Sequence, residues 1–159
     1  MHQKSLAIYL RNHYAGAQAG KELFRRAERN QRDRPYGAEL TALRADVEED
    51  DRALRVVLDA EGVAPDRPQA VLLQLGERVG RLKPNGSLLQ RAPLSDLIEV
   101  EAMLDAVRAK AAGWQALTAI PAPRWRAEVD PQEYYDRAMG QADRLSAIHR
   151  EVATRLFTP

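Results

Sequence analysis

Two histidines and a few acids stand where the apolar pattern of this chain calls for hydrophobic residues. His13 lies between Leu10 and Ala17, at the three- and four-residue steps that place a side chain on the buried stripe of a helix. His149 sits between Leu145 and Val152 in the same way. Asp50 and Asp51 fill the turn between Val47 and Leu54, with Glu48 to one side. Glu101 follows Leu97 by one turn and flanks its stripe, and Glu99 flanks the other edge. Burying unpaired charge is costly, so such residues need partners, water or a metal. Imidazole with carboxylate suits iron, manganese or zinc, and facing helices of a bundle are where such sites are built. His13, Asp51, Glu101 and His149 are therefore the candidate metal ligands, with Glu48 in reserve. The leading expectation needs no metal: His13 bonds an acid of the second helix, and His149 bonds Glu101.

The elements that must position these residues are four long amphipathic helices. The first reads from 4 to 30, with Leu6, Leu10, Ala17, Gly20, Phe24 and Ala27 on the stripe of His13. Ala17 and Gly20 leave room for a second backbone to approach. The second runs from 36 to 61, and Gly62 is placed to end it as a C′ glycine. The third, over 93–120, has its stripe at Leu97, Val100, Leu104, Val107, Ala111, Trp114 and Thr118 and needs partners along its whole length. The fourth, over 131–157, has the clearest start: Asp130 as N-cap, Pro131 at N1 and Glu133 at N3. Trp114 belongs to the core, and Trp125, with Arg124 and Arg126, is placed either as a partner contact or as a lid over one end.

Between the second and third helices lies a connection of about thirty residues, much longer than the two to eight of a tight helix hairpin. It predicts a crossover with a short helix of its own over 69–82, closed by the turn Lys83-Pro84-Asn85-Gly86. His13 and Asp51 each lie near the middle of their helices. Glu101 and His149 share a level in an antiparallel pair. All four converge only if the third helix runs in the same sense as the first.

Composition sets outer limits. The chain has 159 residues, 45% of them apolar, enough for one domain with a real core, and its Leu, Ala, Glu and Arg content favours helix. Basic and acidic residues nearly cancel, 24 against 23, so the charge describes a mixed-sign surface and not a nucleic-acid footprint. No cysteine is present, which excludes disulfides, thiolate metal sites and a cysteine nucleophile. No G-x-S-x-G elbow supports a serine hydrolase, and Gly80–Gly86 lacks the spacing of a phosphate loop. Without a signal-like segment or an apolar run long enough to span a bilayer, the expectation is a soluble cytoplasmic protein.

The order of hairpin, long crossover and hairpin resembles the ferritin-like superfamily. The stretches YLRNHYAGAQAGKELFRR, LGERVGRLKPNG and PLSDLIEVEAM also resemble an uncharacterised bacterial family grouped with it. The first resemblance implies an all-α, ferritin-like four-helix bundle with a di-iron site built from two Glu and two Glu-x-x-His motifs. This sequence departs from that set. Glu48-Glu49-Asp50-Asp51 ends in Asp where His belongs, and Ser146-Ala147-Ile148-His149 has no Glu three residues before its His. The expected function is accordingly a non-enzymatic ferritin-like protein acting through helix-face interactions, as a homodimer. The alternative is a metal-binding protein or oxidoreductase with an altered mono- or dinuclear iron or manganese site. A third expectation, an apolar ligand held between helices, rests on the space beside Ala17 and Gly20.

Overall fold

The structure is a computed structural model that describes residues 2–64 and 93–158. Among the described residues it is all-helical: α1 (His2–Gln31), α2 (Gly37–Ala60), α3 (Pro93–Thr118) and α4 (Pro131–Phe157). The short helix expected over 69–82 lies outside the described residues. Among those described, no helix is long and apolar enough to cross a membrane.

Each boundary has a local cause. Between α1 and α2, the Arg34 N–H bonds the Gln31 carbonyl at 3.0 Å and the Gly37 N–H bonds the Arg34 carbonyl at 2.8 Å. Any Cβ on Gly37 would lie 2.1 Å from the Arg32 carbonyl oxygen, so this turn requires glycine. At the end of α2, Gly62 takes φ 65°. The Gly62 N–H bonds Asp59 O at 3.1 Å and the Val63 N–H bonds Leu58 O at 2.9 Å. That is the paired pattern of a Schellman cap, completed by the apolar contact of buried Val63 with its neighbours. Asp130 caps α4 as expected, its side chain accepting from the Gln132 N–H at 3.1 Å, with Pro131 following.

Helix directions follow from which residues meet. Gln18 and Lys21 of α1 meet Asp51 of α2, and Arg25 meets Glu48, so α1 and α2 are antiparallel. Gly20 lies by Ala106, and Asn30 and Gln31 bond Glu99, so α3 also runs against α1. Trp114 stacks on Tyr134 at 4.9 Å while Glu101 meets His149, which sets α4 against α3. The order is therefore up, down, down, up. The end of α2 and the start of α3 sit at opposite ends of the bundle, which accounts for the length of the connection. It also settles the condition set by the sequence: α3 does not run in the sense of α1.

Two apolar clusters fill the interior. One gathers Phe24, Leu40, Leu43, Val100, Met103 and Leu145 with their neighbours. The other gathers Leu10, Leu54, Val57, Trp114, Leu117 and Trp125. Trp125 is wholly buried at its end of the bundle, which fits the lid and not the partner contact; truncating a side chain of that size to alanine costs about 3–5 kcal/mol. The α3 stripe needs one correction. Thr118 is exposed and Leu117 is buried in its place. Because α3 packs closely on both α1 and α4, it buries more of its circumference than one stripe, and Met103 is fully enclosed as well.

Candidate functional site

Between the two apolar clusters, each helix contributes polar side chains at nearly one level. Asp50 and Asp51 are adjacent on α2, and both are buried, at 2% and 5% exposure. Consecutive residues on a helix point about 100° apart, so the two carboxylates leave α2 in different directions. Each collects one lysine, one glutamine and one arginine.

On the α1 side, the Lys21 ammonium lies 2.7 Å from Asp51 Oδ2, Gln18 Nε2 donates to Oδ1 at 2.6 Å, and Arg55 Nε donates to Oδ2 at 3.1 Å. Burial by itself would raise the Asp51 carboxyl. The hydrogen bond and charge of Lys21, helped by Gln18 and Arg55, outweigh it and hold the group below its ordinary value.

On the other side, Lys110 of α3 donates to both Asp50 Oδ2 and the Gln141 side-chain oxygen. Gln141 Nε2 donates to the same carboxylate oxygen at 2.9 Å, and Arg137 Nε donates to Oδ1 at 3.2 Å. Arg137 also reaches Glu49 at 3.1 Å and lies over the Tyr134 ring. Burial pushes the Lys110 ammonium down, against the upward pull of Asp50. Three helices, α2, α3 and α4, thus meet on one carboxylate.

The sequence-derived candidates are distributed over separate places. His149 Nε2 and Glu101 Oε1 are 3.0 Å apart, so that pair forms as expected. It is not a buried pair, however, because the side chains are 32% and 51% exposed. Asp51 pairs with Lys21, not with His13. The His13 ring lies against Gly113 of α3, where any Cβ would come within 2.7 Å of the ring, and beside Tyr9 at 4.4 Å. No acid of α2 pairs with it among the described residues, and burial lowers its pKa. Glu48, the reserve ligand, is held by Arg44 at 2.8 Å and Arg25 at 3.4 Å. From Gly113, beside His13, to Glu101, beside His149, is about 18 Å along α3 at 1.5 Å per residue. The antiparallel course of α3 keeps the two histidines apart.

The di-iron set that the ferritin-like resemblance implies can be tested on the donors present. A metal needs carboxylate and imidazole lone pairs aimed at one point. At the centre of this bundle the carboxylate lone pairs are taken by ammonium, guanidinium and amide donors, so these residues do not fit the group. Among the described residues, no three or more His, Asp or Glu are grouped so as to hold a metal ion.

Two members of the layer escaped the sequence reading although their spacing carried the signal. Lys110 lies between Val107 and Trp114 on the stripe of α3, and Gln141 lies between Ala138 and Leu145 on that of α4. Both are polar residues at apolar positions, as the histidines are. Glu99 is also buried, at 2%. It accepts from Asn30 and Gln31 at 3.0 and 2.9 Å and meets Arg26 at 3.1 Å. Gln31 in turn accepts from the Tyr36 hydroxyl at 2.9 Å, whose pKa burial and the Asp96 charge push up to about 12. Comparison of the chain with protein families, curated proteins and solved structures found no match.

Proposed function

We propose that the protein is a ferritin-like bundle whose interior polar layer is structural, and that it acts through its helix faces as a homodimer. One observation carries the reading: each aspartate at the bundle centre is neutralised by a lysine of the same chain. An ammonium already joins the helices at the level where a bundle protein would use a cation. The up, down, down, up order supports the ferritin-like part, since one long crossover then joins two helices running the same way. The dimer is supported by Leu94 and Phe157, exposed at 46% and 70% at the same end of the α3–α4 pair.

The test is the metal content of untagged protein purified without chelator, measured by mass spectrometry beside His13→Ala and His149→Ala. The proposal expects no stoichiometric metal in any of the three. About one or two iron, manganese or zinc ions per chain, lost in the variants, would replace it with the altered metal site. Light scattering tests the dimer: the mass of a pair should fall to that of one chain in Phe157→Ser. A single-chain mass before substitution would remove the dimer and leave the rest standing.

A further inference from the structure

Three of the four lateral seams of the bundle are closed by helix backbones lying directly on one another: α1 with α2, α1 with α3, and α3 with α4. The seam between α2 and α4 is built differently. There the backbones come close at isolated points at most, and long side chains span the gap. Arg144 of α4 reaches both Glu39 and Asp46 of α2, with Nη1 2.5 Å from the Asp46 carboxylate. Arg137 reaches Glu49 and Asp50 at 3.1 and 3.2 Å, and Gln141 donates to Asp50 at 2.9 Å.

We infer that the α2–α4 seam is the side on which the bundle opens. Weakening the arginine bridges lets α2 and α4 part, baring Lys110 and the apolar side chains beneath, while α1 and α3 stay packed. The physical basis is the range of each force. Dispersion contact between touching helices does not depend on salt, and it closes the other three seams even where ion pairs such as Arg44–Glu28, at 2.7 Å, also cross them. The Arg144 bridge has side chains exposed at 35%, 42% and 34% for Arg144, Glu39 and Asp46, so mobile ions screen it. The seam bridged by exposed arginines is thus the one whose helix backbones approach least closely.

The chain has no cysteine, so one introduced thiol can report the opening. Ala53→Cys places it in the buried part of α2, three residues beyond Asp50 and so on the same helical side. Ala27→Cys places a control in the buried part of α1. Labelling by a soluble disulfide reagent would be timed for each full-length variant at about 0.05 M and about 1 M sodium chloride, where the Debye length falls to about 3 Å. High salt should speed labelling of Ala53→Cys about fivefold and leave Ala27→Cys unchanged. Adding Arg144→Gln to Ala53→Cys should give comparable speed already at low salt. Equal acceleration at both thiols, or at neither, overturns the inference. So does a folded Arg144→Gln variant that labels like its parent. If Arg144→Gln does not fold, the salt comparison decides with Arg144 in place.

Discussion

Asp50 and Asp51 are neighbours in sequence, equally buried, and each surrounded by a lysine, a glutamine and an arginine, yet their surroundings do different things. Around Asp51, Gln18 and Lys21 come from α1, and Arg55 comes from α2 itself. Two touching helices are joined there, and the carboxylate is held in its charged form. Around Asp50, the lysine comes from α3 and the glutamine and arginine from α4. Three helices converge, and the cost of burial falls on the Lys110 ammonium. The lesson is that composition alone does not set the role of a buried ion pair. The number of elements it joins, and how closely their backbones approach, decides what it contributes.

The strongest way to break this comparison is to remove the two acids in turn. Asp50→Ala leaves the Lys110 ammonium facing an emptied site, and it should cost about 3–5 kcal/mol in urea unfolding. Asp51→Ala leaves Lys21, which its flexible stem can carry toward water, and it should cost about 1–3 kcal/mol. Equal losses would mean that the two clusters are equivalent. Replacing Asp50 and Lys110 together, as Asp50→Leu with Lys110→Met, should recover much of the loss of Asp50→Ala, because no buried charge is then left alone.

Next in size is Gly113→Ala, which pushes a methyl group to within 2.7 Å of the His13 ring. A destabilisation of about 1–3 kcal/mol is expected, relieved when His13→Ala is added. No relief would show that His13 is not what Gly113 makes room for.

The pH dependence sharpens the contrast with smaller effects. With its pKa held down, Asp51 contributes stability that is present above its unfolded value near 3.8 and is lost as pH falls through the lower folded value. Asp51→Asn should flatten the stability profile in that acid range. For His13, also lowered, the unfolded chain takes up a proton near 6.5 while the folded chain resists until lower pH, so stability declines as pH drops below 6.5. His13→Gln should remove that slope and leave the more acid one. Loss of both slopes in one variant would show that the two groups titrate as a unit.

Much of the fold was legible beforehand because it rests on local chemistry. Helical spacing located the four helices, Gly62 and Asp130 marked an end and a start, and the long connection implied a crossover. Polar residues on apolar stripes pointed to a polar interior, although attention to histidine and acid left out Lys110 and Gln141 at the same kind of position. The pairing of Glu101 with His149 followed from an antiparallel hairpin. His13 with an acid of α2 did not follow, because the ring turns toward Gly113 on α3.

By itself, then, the sequence determined most of the apolar residues that leave the water and roughly where each helix begins and ends. Those depend on periodicity and on backbone conformation within a few residues. Only the tertiary structure decided the direction of α3, the separation of the two histidines, and the choice of Lys21 and Lys110 as partners for adjacent aspartates. A helix advances about 1.5 Å per residue, so reversing one helix shifts the groups that face each other by many ångströms. Nothing in the local pattern of residues encodes that shift.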